Sequence, residues 1–389
     1  MLSFQNTEIA FRHKSDSSLR KSHLLFSMMG IPFLVKKGPA LVNFALKSGL
    51  PVQGLIRKTL FEQFCGGESI NQTLKTSTQL KSFGVNTILD YSVEGEKNEQ
   101  GFDACRDEII KTLEHSKHHR EVMFTACKVS GLGNIDLLTK IQAGETLSHQ
   151  ERDEERRVIR RMEAIALAAL RNDTPVFFDA EETWFQTWID EQCEILMKRF
   201  NNEKAIVYTT LQLYRHDRLE YLHNLHAKGK VEGFIPAVKL VRGAYLEKEN
   251  LRAQTLGYQT PMQANKGATD QDFNLALRFC LDHIDSIALC AGTHNEESCY
   301  LLTHLMKEKG IANDHPYIAF AQLYGMSDHI SYNLGSEGYR VAKYLPYGPV
   351  KSVLPYLFRR AEENTSIKGQ TGRELELIRK ELKRRSGKV

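Results

Sequence analysis

Two consecutive arginines and a following glutamate are the residues of this sequence best suited to hold a small anion. Arg359, Arg360 and Glu363 lie in a segment typical of a short helix, directly after a proline- and glycine-rich turn at 346–349. Each guanidinium offers a planar fork of donors to a carboxylate or phosphate. Glu363 follows them by four and three residues, within reach of both on a helix. The segment predicts an anion clamp, with a solvated charged surface as the alternative.

The elements that must position this clamp are eight short β-rich runs separated by helical stretches. Most runs are continuously apolar, which is typical of parallel strands buried on both faces. They are Val85–Tyr91, Val122–Val129, Pro175–Ala180, Ala205–Leu211, Ile235–Arg242, Ile287–Ala291, Tyr317–Gln322 and Arg340–Leu345. This alternation predicts the α/β class and a (β/α)8 TIM-like barrel, in which an anion site commonly follows the last strands. An open doubly wound sheet is the structural alternative.

The ends of the chain do not join this alternation. Residues 1–84 predict an N-terminal helical extension, residues 85–370 the barrel, and residues 371–389 a basic C-terminal helix or tail. The tail is predicted to be a solvated helix, and contact with anionic lipid heads is the alternative. The apolar stretch Leu24–Val35 is too short to span a bilayer, which takes about 20 residues. It predicts a helix packed on the barrel, with a membrane-surface helix as the alternative.

Composition excludes several classes of protein. The 52 basic and 48 acidic side chains leave a net charge of only +4, so the total charge calls for no nucleic-acid partner. Seven cysteines without a C-x-x-C pair predict reduced thiols in a cytosolic-type compartment. The histidine groups at 115–119 and 223–226 lack the companion ligands of a metal site, and we predict none.

A nicotinamide-type nucleotide fold is also not predicted. Gly131 and Gly133 follow a strand, as in a dinucleotide fingerprint, but Asp136 stands where the third glycine is required. A dinucleotide cofactor would therefore have to bind to loops of the barrel.

The chain resembles the proline dehydrogenases, FAD enzymes that oxidise L-proline to Δ1-pyrroline-5-carboxylate. Six segments in family order, spread over roughly residues 85–370, carry the resemblance. They are FTACKVSGLG (124–133), FFDAEETWFQ (177–186), VKLVRGAYLEKE (238–249), CAGTHNEES (290–298), FAQLYGMSDHIS (320–331) and YLPYGPVKSVLPYLFRRAEEN (344–364). The resemblance implies that FAD lies noncovalently along the carboxyl ends of the strands and that proline stacks on its ring system.

The resemblance also implies the residues around the substrate. The implied catalytic set is Lys128, Asp179, Tyr344, Arg359, Arg360 and Glu363, with Leu240 and Tyr245 as further substrate contacts. Lys128 ends an apolar strand, so an inward-facing ammonium there needs an anionic partner. Asp179 is expected to pair with one of the arginines. Its neighbours Glu181 and Glu182 are expected to face solvent or to serve as helix N-terminal charges.

The implied flavin contacts come from several loops. They are Gln212, Lys239, Arg242, Gly243, Ala244, Thr293, His294, Asn295 and Gln322. Arg242 is expected near flavin N5 and the pyrimidine edge, where a cation stabilises the reduced anion. The bulk of Tyr344 favours proline over hydroxyproline, since relatives that prefer hydroxyproline have a smaller residue there.

The expected partners are L-proline and a membrane quinone, with peripheral attachment to a membrane and no nucleic acid. In a eukaryote the resemblance implies a mitochondrial location. Three alternatives stay open: a hydroxyproline-preferring relative, a barrel lyase that uses Lys128 as a Schiff-base amine, and a non-catalytic relative that senses metabolites or assembles at membranes.

Overall fold

The computed structural model describes residues 2–31, 38, 48, 53–92, 98–366 and 370–387. Eight strands close into a barrel in sequence order, and the registers from β2 to β7 are parallel. The strands are β1 (Asn86–Tyr91), β2 (Val122–Cys127), β3 (Val176–Phe178), β4 (Val207–Gln212), β5 (Ala237–Val241), β6 (Ala288–Gly292), β7 (Ile318–Leu323) and β8 (Val341–Tyr347). The predicted (β/α)8 TIM-like class is confirmed, and the open sheet is excluded.

Helices precede the first strand, fill the connections between the strands and follow the last strand. They are α1 (Thr7–Phe11), α2 (Asp16–Met29), α3 (Gln53–Ile56), α4 (Glu62–Phe64), α5 (Ile70–Lys81), α6 (Glu99–Ser116), α7 (Ile135–Gln142), α8 (His149–Arg171), α9 (Thr183–Phe200), α10 (Arg218–Glu232), α11 (Leu246–Leu256), α12 (Lys266–Asp282), α13 (Glu296–Glu308), α14 (Asp328–Ser336), α15 (Leu354–Ser366) and α16 (Gln370–Arg385). A π-helical turn, Arg57–Phe61, joins α3 to α4, and a 3-10 turn, Val129–Gly131, follows β2.

The chain divides into two compact units, of which the larger comprises Ile88–Tyr91 and Gly95–Ala321. Its helices begin where the sequence provides caps. Ser148 and Glu151, for example, form a reciprocal capping box at the start of α8. Between the strands, the rings of Phe124 and Phe177 stack with their centres 4.4 Å apart. This unit contains β2 to β6, whose carboxyl ends carry most of the predicted site residues.

The smaller unit comprises Met1–Thr87, Ser92–Glu94 and Gln322–Val389. Helix α16 packs on α1 and α2, with Leu377 and Ile378 buried in a shared apolar core. At its end, Arg385 donates to the Phe11 carbonyl and pairs with Asp16 at 2.8 Å. The expectation of a solvated tail helix is therefore wrong, because α16 has an apolar stripe that the smaller unit covers.

The smaller unit contains a buried ionic cluster, one member of which is Lys343, the residue before Tyr344. Lys343 is fully buried in β8 and lies 2.9 Å from Asp328, which also pairs with Lys14 at 3.0 Å and with His13 at 3.5 Å. Burial alone would raise the pKa of Asp328, but the charges of Lys14 and Lys343 hold it well below the usual range. This cluster ties α1 and α14 to the last strand.

The apolar stretch Leu24–Val35 is described only as far as Ile31. Leu24 and Met28 lie on α2 with much of their side chains exposed, while Phe26 is buried. Residues 32–35 lie outside the described part of the chain. Among the described residues, no helix combines the length and apolar character needed to cross a membrane.

Candidate active site

In the larger unit, five neighbouring strands carry polar side chains at their carboxyl ends. Successive side chains of a strand point to opposite faces, so residues two apart share a face. In β3 and the residue that follows it, Phe177 and Asp179 share one face, and in β4 Thr210 and Gln212 do so. Side chains that share this face at the carboxyl ends of different strands can therefore meet at one end of the barrel, even when they are far apart in sequence.

The ion pair of Asp179 and Lys239 joins β3 to β5. The Lys239 ammonium donates to Oδ1 of Asp179, and both side chains are largely buried. Its Nζ also lies 4.9 Å from the centre of the Phe177 ring. The sequence predicted an arginine partner for Asp179 and a flavin contact for Lys239. Lys239 is a partner of Asp179 in the structure, and the pairing of Asp179 with an arginine stays a prediction.

Lys128 has the anionic partner that its position required. Its Nζ lies 3.6 Å from Oδ2 of Asp90, and Asp90 is almost fully buried in β1. The prediction of an anionic partner for Lys128 is thus confirmed.

The guanidinium of Arg242 is held on three sides. Nε donates to Oδ1 of Asp270 at 2.6 Å, Nη1 to Oγ1 of Thr293 at 2.7 Å, and Nη2 to Oγ of Ser298 at 3.0 Å. The ring of Phe273 lies beneath it, with its centre 4.4 Å from the guanidinium carbon. These contacts fix the orientation of the cation relative to the end of β5.

The main chain after β5 is exposed at Gly243 and Ala244. Gly243 has φ 131°, a conformation that favours glycine. A Cβ atom there would lie 2.5 Å from the Tyr214 ring, which is a steric clash. The main chain can therefore approach this ring so closely only because residue 243 is glycine. Tyr245 is half-buried and begins α11 as its N-cap residue.

The groups after β6 form a small polar cluster. The Thr293 main-chain N–H donates to the Ala321 carbonyl at 3.0 Å. Asn295 caps α13 by accepting from the Ser298 N–H at 2.9 Å, and His294 between them is half-buried. The predicted flavin contacts Thr293 and Asn295 thus also have structural roles.

Two other predicted residues of the larger unit lie on β4 and β5. Gln212 is buried, and its Nε2 donates to the Glu181 carbonyl at 2.8 Å. Leu240 is fully buried and follows Lys239 in the strand, so it points to the opposite face. Leu240 therefore does not lie on the face of β5 that carries Lys239, and its role as a wall of the substrate pocket stays a prediction.

Glu181 and Glu182 are both buried, so the expectation that they face solvent is wrong, but Glu182 is the N-cap residue of α9, as the alternative of a helix N-terminal charge predicted. The Glu181 carboxylate accepts hydrogen bonds from the main-chain N–H of Ser130 at 2.9 Å and from the Ser130 hydroxyl. Glu182 precedes α9 and pairs with Lys248. Sequence analysis missed the burial of Glu181, although its position two residues after Asp179 was a signal.

In the smaller unit, Tyr344 is 8% exposed and Arg360 is 7% exposed. The Arg360 guanidinium lies 5.0 Å from the centre of the Tyr356 ring, one turn earlier on α15. Arg359 is half-buried. Gln322 is buried and accepts from the Ser331 hydroxyl at 2.8 Å. Glu363 lies on α15, but the prediction for its side chain falls outside the described residues.

Among the side chains that the structure describes, no group of three or more histidines, cysteines or acidic residues could hold a metal ion.

Comparison with known proteins identifies a family. The family model for proline dehydrogenase matches residues 73–373. The carbapenem antibiotics biosynthesis protein CarD of Pectobacterium carotovorum subsp. carotovorum is 34% identical over 88% of this chain and 89% of its own length. The mitochondrial proline dehydrogenase 1 of Dictyostelium discoideum is 30% identical over 98% of this chain and 74% of its own. A hydroxyproline dehydrogenase of Xenopus laevis is 29% identical over 99% and 90%.

A solved structure shares the fold. Proline utilization A (PutA) from Bdellovibrio bacteriovorus, inactivated by N-propargylglycine, matches 96% of this chain with a TM-score of 0.73 and 20% sequence identity. The match covers 38% of that longer chain. Because the family match extends over more than half of this sequence, the chain belongs to the proline dehydrogenase family.

Proposed function

We propose that this protein oxidises L-proline to Δ1-pyrroline-5-carboxylate by hydride transfer to FAD and passes the electrons to a quinone. In this proposal residues 85–370 are the FAD-binding barrel. The observation that carries it is the row of polar groups at the ends of five neighbouring strands, in a chain of a family of oxidoreductases. Lys128, Asp179, Gln212, Arg242 and Thr293 occupy these ends, one for each strand from β2 to β6.

The described residues fit a flavin. The exposed main chain at Gly243 and Ala244 carries no side chain large enough to keep a planar ring at a distance. Arg242 beside it is a fixed cation, and fixed charges stabilise a developing anion without reorganisation. We propose that Gln212, Lys239, Thr293, His294, Asn295 and Gln322 are the remaining FAD contacts. Bound there, FAD would supply the acceptor for the hydride of the substrate.

Holding the substrate requires a fixed carboxylate and an open C5 atom. We propose that Arg359 and Arg360 bind the proline carboxylate, with Lys128 as a further cation and Glu363 as an orienting group. Tyr344 and Tyr245 would contact the ring of the substrate. The burial of Arg360 supports this role, since a charge-assisted hydrogen bond to a carboxylate is stronger where water is excluded.

Two other functions compete with this one. A hydroxyproline substrate is favoured by the similarity to the Xenopus enzyme, but the bulk of Tyr344 favours proline. A Schiff-base lyase would need a neutral amine at Lys128. The pairing of Lys128 with buried Asp90 instead favours the ammonium, which is not a nucleophile.

One anaerobic titration tests the proposal. The purified protein should be yellow, and addition of L-proline without oxygen should bleach the flavin absorbance. Borohydride added with substrate should leave no covalent adduct on Lys128. A colourless protein, or a flavin that L-proline does not bleach, would overturn the proposal, and an adduct on Lys128 would favour the lyase.

A further inference from the structure

Glu181 differs from the other buried acids at the strand ends of the larger unit. Asp90 pairs with Lys128, Asp179 with Lys239, and Glu182 with Lys248. Glu181 is 3% exposed, and the two donors that reach its carboxylate in the described part of the chain are the amide and hydroxyl of Ser130. A carboxylate held by neutral donors keeps a higher proton affinity than one held by an ammonium.

Ser130 connects this acid to the open end of the strands. It lies in the 3-10 turn that follows β2, two residues after Lys128, and its side chain is half-buried. The main chain of Glu181 is also fixed at this end, since its carbonyl accepts from Gln212 and its N–H donates to Gln186 at 2.7 Å. A hydroxyl can donate and accept at once, so Ser130 is able to pass a proton to the carboxylate behind it.

We propose that Glu181 and Ser130 form a proton relay that takes up the proton released when the substrate amine becomes an imine. This inference rests on the proposed oxidation of proline. Bound FAD would accept the hydride, which leaves C5 with the electron pair of the C5–H bond while the lone pair of the amine nitrogen forms the C5=N bond. The N–H bond of the resulting iminium then breaks, its electron pair stays on nitrogen, and its proton passes to the Ser130 oxygen. The Ser130 hydroxyl gives its own proton to a carboxylate oxygen of Glu181, which releases it to solvent afterwards.

The charges around Glu181 suit a group that gains and loses a proton near neutral pH. Burial raises the pKa of Glu181 to about 7, and the charge of Glu182 acts in the same direction. The hydrogen bonds from Ser130 and the charge of Lys128 oppose the rise. A proton acceptor works best when its pKa lies near the working pH.

The first test compares two adjacent acids. In the wild-type FAD enzyme, kcat/KM for L-proline should rise with pH along a limb centred near the pKa of Glu181. Glu181→Gln should remove this limb and lower kcat by about 10²-fold, the usual size of a lost proton acceptor. Glu182→Gln, one residue away, should keep the limb and move it slightly to lower pH, because the charge of Glu182 no longer raises the pKa of Glu181. Ser130→Ala removes the hydroxyl through which the proton passes, so it should also lower kcat, and any limb that remains should move to higher pH because the ionised acid loses a hydrogen bond.

A second measurement follows the titration of Glu181 through the pH dependence of thermal stability and does not depend on an activity assay. A carboxyl whose pKa is raised from 4.5 to about 7 on folding stabilises the protein below pH 4.5, and this stabilisation is lost as the pH rises to 7. The thermal midpoint of the wild type should therefore fall relative to that of Glu181→Gln as the pH rises from about 5 to 7. In this range the folded protein holds the proton of Glu181 more tightly than the unfolded chain does.

The outcomes separate this proposal from the proposed function. A wild type that oxidises proline, with the same pH limb in both Glu181→Gln and Ser130→Ala, would overturn the relay and leave the oxidation standing. An unchanged difference in thermal midpoint across the same pH range would overturn it as well. A wild type that does not oxidise proline would instead overturn the proposed function.

Discussion

The position of each charged side chain at the strand ends depends on the oppositely charged partner that it contacts. Lys239 and Arg242 are three residues apart, yet one pairs with Asp179, directly after β3, and the other with Asp270 on α12. Each partner fixes the position of its cation. The predictions at this scale concern side chains whose replacement leaves the barrel intact.

Arg360→Met should raise KM for L-proline by roughly 10- to 100-fold, because a charge-assisted hydrogen bond contributes about 1.5–3 kcal/mol. The flavin should remain bound, which its absorbance would show. Steady-state kinetics checks the change, and Arg160→Met, on an exposed position of α8, is the matched control. A variant with the KM of the wild type would show that Arg360 does not hold the carboxylate.

Tyr344→Ser should shift the enzyme toward trans-4-hydroxyproline. The smaller side chain makes room for the hydroxyl and can hydrogen-bond to it, and such pocket changes alter selectivity by about 10- to 100-fold. The measurement is the ratio of kcat/KM for the two substrates in each protein. If that ratio stays constant, the buried ring of Tyr344 does not line the substrate pocket.

At the scale of elements, the C-terminal helix α16 is part of the smaller unit rather than a free tail. Glu381 is fully buried and accepts from Arg384 at 2.8 Å and from Arg385 at 2.7 Å. Arg385 in turn holds the carbonyls of Phe11 and Lys14 at the end of α1. The basic residues at this end of the chain are thus engaged by their own N-terminal segment.

Glu381→Ala should destabilise the protein by about 2 kcal/mol, between the costs of breaking an exposed and a buried ion pair. The physical reason is that two guanidiniums lose the acid that orients them toward α1. Denaturant unfolding checks the value. Glu376→Ala, on the exposed face of the same helix, should change the free energy of unfolding by less than about 0.5 kcal/mol. An equal decrease in the free energy of unfolding in the two variants would show that the Glu381–Arg385 contacts do not stabilise the packing of α16 on α1.

For the whole molecule, the open question is where the electrons go after proline is oxidised. In the proposed function the acceptor is a quinone, and Asp136 stands where the fingerprint begun by Gly131 and Gly133 requires a third glycine. The engagement of Arg384 and Arg385 within the smaller unit removes part of the basic surface expected to contact anionic lipid. The exposed apolar side chains Leu24 and Met28 on α2 remain as a surface that could contact a membrane.

We expect L-proline-dependent reduction of a water-soluble quinone analogue, together with negligible turnover when NAD is the sole acceptor. Binding to anionic vesicles should be weak and should disappear at high salt, because screened charges contribute little. Absorbance assays with each acceptor and vesicle sedimentation at two salt concentrations provide the measurements. Rapid reduction of NAD, or no reaction with any quinone analogue, would contradict this assignment.

The sequence by itself determined the barrel and most of the strand ends. The continuous apolar runs marked eight strands, and the observed strands begin and end within about two residues of the predictions. Lys128 and Asp179 could be placed at strand ends because the period of a strand is a local property of the chain. The need of Lys128 for an anionic partner also followed from its position alone.

Only the tertiary structure decided which groups meet. Asp179 pairs with Lys239, sixty residues away, and Glu181 is buried against Ser130, fifty-one residues away. Such contacts depend on barrel closure and on the register of β2 to β5, which no local pattern encodes. The burial of α16 has the same cause: a charged helix shows its apolar stripe in sequence, but the surface that covers Leu377 and Ile378 comes from the other end of the chain.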